Sequence, residues 1–384
     1  MKYFLTVIIL LIPLISFSQD FSELDSIIQS GIENKYYPGA QILIGDNNNI
    51  IYEKSYGRFT YDTDSPEVTN YTIYDLASVT KVIATTTAVM ILADIGKIDL
   101  NDPVIKYIPE FDNNAKNTIS ILNLLLHNSG LKAWIPFYKT CKTKEDVMNT
   151  IYNIGLDYPT DTRCVYSDLN AILLGEIVER VTKLSFSKYC DSLIFYPLGM
   201  ENTFFNPDKQ YNNFIPPTEY DNYWRGRLLK GEVHDEAASL MGGVSGNAGL
   251  FSNAKDLYQF MRMILNNGFY YNPYTRGLKE ENFCRSSVIK IFTKRFTELS
   301  YNNTRALGWE TKPEPTKYRT QCGELFSENS FGHTGYTGTS VWCDRDRNLI
   351  VIFLTNRINP ARGNEGIRLI RPEVHNTAVR LTNR

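Results

Sequence analysis

The order of apolar and polar positions predicts strands near both ends of the chain and helices between them. Residues 40–57 (AQILIGDNNNIIYEKSYG) contain two apolar runs on either side of an Asp/Asn turn, which is the pattern of a β-hairpin. Residues 338–357 (GTSVWCDRDRNLIVIFLTNR) repeat that pattern around DRDRN. We therefore predict an antiparallel sheet built from residues 21–75 and 300–384, with a helical lobe at about 76–265 inserted between its strands.

Apolar residues at helical spacing predict the helices. One helix is expected within residues 21–39, before the first hairpin, and another within residues 371–382, after the second. The helices expected between the hairpins lie at residues 82–95, 118–130, 169–183, 186–199 and 254–268. Residues 269–331 are poorly periodic, so we expect long loops there with one helix near 286–296. No repeat or linker divides residues 19–384, which indicates a single domain.

The first twenty residues, MKYFLTVIILLIPLISFSQD, have the pattern of a secretory signal peptide. A lysine precedes an uncharged run at residues 3–15, and small residues follow it, so cleavage is expected after Ser18. The alternative is an uncleaved anchor, but the run is shorter than the roughly 20 residues that span a bilayer. We expect an exported protein, periplasmic or secreted, without a stable membrane span after cleavage of residues 1–18.

Composition narrows the range of partners. Forty Lys and Arg residues balance 42 Asp and Glu residues and are spread along the chain, so no nucleic-acid footprint or polybasic membrane patch is visible. Partners are expected to be small molecules or cell-wall-like material. The six cysteines could form disulfides or remain buried thiols. They make no C-x-x-C pair and the four histidines are far apart, so neither a metal site nor a cofactor is predicted.

Five serines stand three residues before a lysine, the spacing found where an amine activates a serine nucleophile. Four have simple structural interpretations: a turn for Ser129, helix caps for Ser185 and Ser252, and a solvated helix face for Ser287. Ser78 (SVTK) differs, because the twelve residues after Lys81 are uncharged and predict a buried helix. Burial would lower the pKa of Lys81 from about 10.4 toward 7 or 8 and make it a base. The alternative is a capping serine with a lysine that extends to solvent.

Two further motifs carry candidate chemistry. Tyr166, Ser167 and Asp168 open a predicted helix, and a tyrosine beside a lysine cation would have a stabilised phenolate that could exchange protons. Alternatively, Ser167 or Asp168 only caps the helix. The segment FGHTGYTGTSVW brings His333, Thr334 and Gly335 to a strand edge, where backbone N–H groups could approach an acyl oxygen. Its alternative interpretation is a strand entry with two tight turns.

In this order, the three motifs resemble those of the serine β-lactamase, penicillin-binding protein and esterase superfamily, in its class C-like branch. The similarity extends to LLLHNSGL, PLGM, VHDEAASLMGGVSGNAGLFSNAKDL and ALGWE, and so covers nearly the whole mature chain. It implies an α/β (α+β) fold, in which a five-stranded antiparallel sheet is flanked by helices and joined to a helical lobe. It also implies that Ser78 is the nucleophile, that Lys81 and Tyr166 move protons, and that the backbone N–H groups of Ser78 and Tyr336 form the oxyanion hole.

The sequence departs from the family pattern at two positions. Asp168 stands where the well-known β-lactamases carry an amide, and His333 stands where many relatives have the lysine of Lys-Thr-Gly. Both changes should weaken binding of anionic amide substrates at a site that Thr334 and Gly335 would also line. We therefore expect an esterase or an atypical peptidase that uses an acyl-enzyme.

Two alternatives stay open. One is a D-alanyl-D-alanine carboxypeptidase or a β-lactamase, and the other is a non-hydrolytic penicillin-sensing or peptidoglycan-binding protein. Of the remaining histidines, His127 is interpreted as structural. His234, Asp235 and Glu236 could line the site entrance or lie in a solvated loop.

Overall fold

The computed structural model describes residues 19–275, 279–299, 303–313 and 320–382, and the expected signal peptide lies outside them. The strands are β1 Gly39–Gly45, β2 Ile50–Gly57, β3 Tyr74–Asp75, β4 Phe204–Phe205, β5 Tyr220–Asp221, β6 Arg227–Leu228, β7 Leu250–Ser252, β8 Phe269–Tyr271, β9 Glu280–Asn282, β10 Glu310–Thr311, β11 Ser330–Thr334, β12 Ser340–Asp344 and β13 Leu349–Thr355. The α-helices are α1 Ser22–Glu33, α2 Thr87–Asp94, α3 Ile121–Leu125, α4 Lys144–Asn153, α5 Asp168–Thr182, α6 Phe186–Cys190, α7 Glu236–Leu240, α8 Ala254–Leu265, α9 Ser286–Thr293 and α10 Ile367–Thr382.

The main sheet combines strands from both ends of the chain, as the two hairpin patterns predict. Its order over the described residues is β10-β11-β12-β13-β1-β2, and every neighbouring pair is antiparallel. Ile42 of β1 pairs with Phe353 of β13, which joins the two predicted hairpins at the centre of the sheet. The sheet has one strand more than the resemblance implies, because the two-residue β10 adds to the edge beside β11. The lobe boundaries themselves stay a prediction.

Both faces of the central strands are buried. On one face, α1 and α10 pack together, and Leu24 and Val374 share a hydrophobic core with Ile42. On the other face, α8 packs on β1 and β13. Burial on both sides explains why the first six residues of β13, LIVIFL, are all apolar and do not alternate with polar residues.

The predicted helix after Lys81 is confirmed, but it is not uniform. A 3₁₀ turn at Ala77–Val79 leads into a π-helical segment at Lys81–Thr86 and then into α2. The run Ala77–Asp94 is long and apolar enough to cross a membrane, yet 83% of it is buried inside the protein. It is therefore the core helix of the helical lobe, and its first turn carries Ser78.

The region after residue 269 contains the predicted helix as α9, with a short β8–β9 hairpin before it. All six cysteines are free thiols, so the disulfide alternative is wrong. Five of the six are buried, and they pack as small apolar side chains in the two largest hydrophobic cores.

Candidate active site

The turn that carries Ser78 is held in an unusual backbone conformation. Ala77, the preceding residue, has φ of 46°, in the left-handed region that a residue with a Cβ seldom adopts. The Asp75 carboxylate stabilises this conformation, because Asp75 Oδ1 accepts a hydrogen bond from Ala77 N at 2.8 Å. Lys81 lies one turn later, and its Nζ donates to Ser78 Oγ at 3.0 Å. The predicted proximity of Ser78 and Lys81 is therefore present.

Lys81 is buried, with 2% of its surface exposed, and its ammonium group has three acceptors. Besides Ser78 Oγ, Lys81 Nζ donates to Asn247 O at 2.9 Å and pairs with Asp168 Oδ1 at 2.7 Å. Burial lowers the pKa of Lys81, but its interactions with Asp168 and Tyr166 raise it by more, so the pKa lies above its usual value. The prediction of a lowered lysine pKa is wrong, because the counter-ion comes from a distant part of the chain.

Tyr166 lies among cations and imidazoles. Its ring centroid is 5.0 Å from Lys81 Nζ and 4.8 Å from Arg305 Cζ, and the ring also packs against His127 and His333. Burial raises the pKa of Tyr166 despite the nearby lysine, so the stabilised phenolate predicted from sequence is not present. The phenolic oxygen is buried and makes no hydrogen bond of normal geometry among the described residues, although Lys81 and Ser78 lie near enough to act against the rise of its pKa.

The start of α5 positions Asp168. Ser167 occupies the N-cap position, as one alternative proposed, but its hydroxyl group donates to Lys132 O and does not cap the helix. Ser167 N donates to His127 Nδ1 at 3.1 Å, so the buried His127 holds this turn, in agreement with its interpretation as structural. Asp168 N in turn donates to Ala133 O, which fixes the carboxylate beside Lys81.

β11 ends with His333 and Thr334, and Gly335 follows it next to the turn of Ser78. His333 is 1% exposed, and burial lowers its pKa to about 4, so its imidazole is neutral at pH 7. A Cβ on Gly335 would lie 2.4 Å from Leu76 O, so only glycine allows this close approach. Thr337 Oγ1 donates to Asp75 O and Thr339 Oγ1 donates to Leu76 O, which ties the loop around Tyr336 to the Ser78 turn.

His234 and Glu236 belong to a buried polar network, so the interpretation as a solvated loop is wrong. Their exposed fractions are 4% and 6%. His234 Nε2 lies 3.0 Å from Glu219 Oε1, and Arg362 pairs with both Glu219 and Glu236. The His234 ring stacks on the ring of Tyr336 with centroids 5.7 Å apart, which places the network against the oxyanion loop. Sequence spacing alone could not show this, because Arg362 lies 143 residues from Glu219 and 126 residues from Glu236.

Asp235, which lies between His234 and Glu236 in the sequence, caps α7 by accepting a hydrogen bond from Ala238 N at 2.8 Å. Burial is the main cause that raises the pKa of Asp235 to about 6, and the negative charge of Asp168 is the next largest cause. Asn247 Nδ2 also donates to Asp235 Oδ1, and Asn247 O accepts from Lys81. The carboxylate of Asp235 is therefore connected to the centre of the site by one residue.

A cleft of about 490 Å³ opens beside Ser78, and Lys81, Asp168, His234, Asp235 and Glu236 lie behind its lining residues. The predicted residues that line it are Ser78, Tyr166, His333, Thr334, Gly335 and Tyr336. Four arginines that the sequence analysis missed also line it, namely Arg305, Arg357, Arg368 and Arg371. The sequence offers no motif for them, because they lie on a loop, beyond β13 and on α10, and only the fold brings them together.

The other four serine–lysine pairs lie outside this cleft. Ser185 caps α6 as predicted. Ser252 lies in β7, and its neighbour Asn253 caps α8, so the cap assigned to Ser252 is wrong by one residue. Ser129 donates to Asn170 Oδ1 in its turn, and Ser287 is exposed on α9, as expected.

Comparisons with known proteins agree with this fold. The family model described as Beta-lactamase matches residues 24–374. A Salmonella heidelberg protein named "Putative D-alanyl-D-alanine carboxypeptidase" is 33% identical over 375 residues, which covers 88% of this chain and 83% of that protein.

Two solved structures show the same fold. The octameric penicillin-binding protein homologue from Pyrococcus abyssi has a TM-score of 0.72 at 20% identity and covers 94% of this chain and 78% of its own. EstCE1, a hydrolase with promiscuous acyltransferase activity, has a TM-score of 0.71 at 18% identity and covers 94% of this chain and 99% of its own. The predicted β-lactamase-like fold is therefore confirmed. The chain belongs to the Beta-lactamase family of serine hydrolases.

Proposed function

We propose that this serine hydrolase cleaves esters or amides through an acyl-enzyme on Ser78. The observation that carries the proposal is the continuous chain from Ser78 Oγ to Lys81 Nζ, at 3.0 Å, and on to Asp168 Oδ1, at 2.7 Å. Ser78 Oγ lies at the surface of the cleft, while Lys81 is buried behind it. A nucleophile in contact with a proton-transfer group is the arrangement that acyl transfer requires.

Activation of Ser78 begins with a proton shift within the ion pair. In the resting state Lys81 is an ammonium group and cannot accept a proton. Transfer of one proton from Lys81 Nζ to Asp168 converts the ion pair into a neutral pair and frees a lone pair on Nζ. That lone pair lies 3.0 Å from Ser78 Oγ, within reach of the hydroxyl proton. Asp168 therefore acts as a proton acceptor in this proposal, not as a substrate ligand.

Acylation follows from this state. Ser78 Oγ bonds to the substrate carbonyl carbon as its proton moves to Lys81, and the carbonyl oxygen becomes an oxyanion. The backbone N–H groups of Ser78 and Tyr336 would hold that oxyanion, since the Tyr336 loop is tied to the Ser78 turn. When the carbon–oxygen or carbon–nitrogen bond breaks, the leaving group takes a proton from Tyr166 or Lys81. Water then enters by the reverse sequence and releases the acid.

The preferred substrates in this proposal are esters. If the enzyme cleaves amide bonds instead, its substrates are expected to be atypical peptides. The support is the neutral His333, which provides no fixed cation at the Lys-Thr-Gly position. A D-alanyl-D-alanine carboxypeptidase is the second candidate, favoured by the Salmonella heidelberg protein of that name. The contact of Ser78 with Lys81, and of Lys81 with Asp168, supports turnover over a purely sensing role. We also propose export, because residues 1–18 have the composition of a signal peptide.

The test uses residues 19–384 and two serine variants. Ser78→Ala removes the proposed nucleophile, and Ser287→Ala is its matched control in an exposed serine–lysine pair on α9. Substrates are p-nitrophenyl acetate, a chromogenic cephalosporin and a D-alanyl-D-alanine peptide, with mass spectrometry to detect an acyl adduct on Ser78. We expect Ser78→Ala to lose turnover and the adduct, while Ser287→Ala keeps both. Full activity of Ser78→Ala would refute the proposal, and the substrate that turns over fastest decides between the two candidates.

A further inference from the structure

The side chain of Asp75 joins segments that lie far apart in sequence. Asp75 is 4% exposed. Its Oδ1 accepts a hydrogen bond from Ala77 N at 2.8 Å, and its Oδ2 accepts one from His234 N at 2.7 Å. Its backbone oxygen accepts from Thr337 Oγ1 at 2.7 Å. Asp75 therefore contacts the turn of Ser78, the segment before α7 and the oxyanion loop, residues 335–339, at the same time.

A carboxylate in this position is costly to keep. Burial raises the pKa of Asp75, and the hydrogen bonds from His234 and Ala77 act against that rise. The same carboxylate holds Ala77 at a φ of 46°, a conformation that side chains with a Cβ seldom adopt. Backbone strain next to a nucleophile, held by a costly buried group, indicates that the group serves the geometry of the site.

His234 extends this contact to Tyr336. The two rings stack with their centroids 5.7 Å apart and an angle of 22° between their planes. At the other end of the imidazole, Nε2 lies 3.0 Å from Glu219 Oε1, and Arg362 pairs with Glu219. The His234 ring is therefore held at both its backbone and its Nε2 end, and it forms a firm surface against which Tyr336 packs.

Arg357 makes further contacts with the same loop. Its Nε donates to Tyr336 O at 2.8 Å, and its backbone N donates to Thr337 O at 2.9 Å. Its guanidinium group lies 4.6 Å from the centroid of the Tyr336 ring. Because Arg357 binds the backbone of the loop and His234 packs on its aromatic ring, the position of the Tyr336 N–H depends on both residues.

We infer that Asp75 and His234 are positioning residues that set the separation between the N–H groups of Ser78 and Tyr336. The inference rests on the proposed hydrolysis, in which these two groups hold the oxyanion. Neither Asp75 nor His234 is among the lining residues of the cleft, so each acts through the backbone or ring that it holds. Oxyanion donors stabilise a transition state most when they are held in place beforehand.

The link between the two positioning residues is the hydrogen bond from His234 N to Asp75 Oδ2. Through it, a change at either residue reaches both donors. Asp75 acts on the Ser78 N–H through Ala77, and His234 acts on the Tyr336 N–H through the stacked rings. This assigns a role to His234, which the motif VHDEAA places before α7.

The test uses variants of the mature protein, residues 19–384. Asp75→Asn keeps one oxygen acceptor and turns its NH₂ group toward the other backbone donor. We expect kcat/KM for p-nitrophenyl acetate to fall by about tenfold to a hundredfold, because both oxyanion donors shift but neither is removed. His234→Ala should show a similar loss. His234→Phe keeps a ring to stack on Tyr336 and should recover part of it, and equal losses in His234→Ala and His234→Phe would overturn the inference.

Binding of phenylboronic acid distinguishes positioning from a purely structural role. Ser78 Oγ forms a bond to boron, its proton moves to the pair of Lys81 and Asp168, and the boron becomes a tetrahedral anion that resembles the transition state. In Asp75→Asn and His234→Ala, the Kd of the boronate should rise by the same factor by which kcat/KM falls. An unchanged boronate Kd beside a lowered kcat/KM would overturn the inference.

Asp256→Asn is the matched control. Asp256 is a second buried carboxylate, 6% exposed, and its Oδ2 accepts a hydrogen bond from Asn202 N at 2.7 Å. It lies in the first turn of α8 and does not line the cleft. This variant should keep both kcat/KM and the boronate Kd. Equal losses in Asp256→Asn and Asp75→Asn would refute the inference, since any buried carboxylate would then have the same effect.

The boronate also separates this inference from the proposed hydrolysis. If the parent turns over no ester but binds the boronate, and Asp75→Asn weakens that binding, the hydrolysis fails and the positioning role stands. If esters turn over and Asp75→Asn keeps both kcat/KM and the boronate Kd, the positioning role fails alone. A parent that neither cleaves esters nor binds the boronate would refute both, because no oxyanion site would then exist beside Ser78.

Discussion

Lys81 Nζ lies 2.7 Å from Asp168 Oδ1, and this ion pair sets the protonation state of the site. Burial lowers the pKa of Lys81, but the Asp168 carboxylate raises it and keeps the ammonium group charged. In the proposed mechanism, a proton must move within this pair before Ser78 can be activated. In this proposal, Asp168 therefore takes part in proton transfer to and from Lys81.

Asp168→Asn tests that role. The substitution removes the proton acceptor, so we expect kcat/KM at pH 7 to fall by about a hundredfold, the usual size of a lost proton-transfer group. Without the carboxylate, burial should lower the pKa of Lys81, and activity should recover as pH rises and Lys81 becomes neutral. A pH profile of kcat/KM from pH 6 to pH 10 measures both effects.

Asp168→Glu is the control, because it keeps the charge and shifts only its position. It should retain the shape of the parent profile at a lower rate. If Asp168→Asn had the same kcat/KM as the parent at pH 7, this would show that Ser78 is activated without the carboxylate. Thermal unfolding of both variants would show that neither loss of activity reflects an unfolded protein.

His333 should make the protein less stable in acid. Burial lowers its pKa from 6.5 to about 4, so the unfolded chain binds this proton more readily than the folded chain. The stability from the neutral imidazole is complete above pH 6.5 and is lost as pH falls toward 4, by up to about 3 kcal/mol. Denaturant unfolding at pH 7, 5.5 and 4 should show a smaller acid loss for His333→Gln than for the parent. A difference in stability that does not change with pH would contradict this origin.

The shifted pKa of Asp235 has the opposite effect on how stability depends on pH. Its pKa is raised from 3.8 to about 6, so the folded chain holds the proton more tightly and stability falls as pH rises through that interval. Asp235→Asn keeps an oxygen that can accept from Ala238 N and removes the charge that repels Asp168. We expect the variant to melt several degrees above the parent at pH 7 and close to it at pH 4. A larger gain at pH 4 than at pH 7 would refute the assignment.

Local spacing predicted the parts of the site that lie close in sequence. Ser78 and Lys81 are three residues apart, and the uncharged run that follows them predicts the buried helix. The hairpins were predictable for the same reason, since each consists of two apolar runs around a polar turn. The sequence also contains the pattern of helix α4, although we did not predict that helix. Its buried residues have helical spacing, namely Val147, Met148, Ile151 and Tyr152.

Contacts between distant segments could not be predicted in this way. The pairing of Lys81 with Asp168 depends on how α5 packs beside the core helix, and it reversed the expected direction of the lysine pKa shift. The arginines of the cleft come from separate elements, and none of them has a motif around it. The edge strand β10 has only two residues, too short for any alternation to be seen.

Gly335→Ala tests the contact between the oxyanion loop and the Ser78 turn. The new Cβ would lie 2.4 Å from Leu76 O and 2.1 Å from Thr339 Oγ1, so the loop must move away. Displacing the Tyr336 N–H from a developing oxyanion should lower kcat by about a hundredfold, as loss of one oxyanion donor does. Gly363→Ala is the matched control, because no atom lies within 4 Å of its added Cβ. Equal kcat values for the two variants would show that the Tyr336 N–H does not act on the reacting carbonyl.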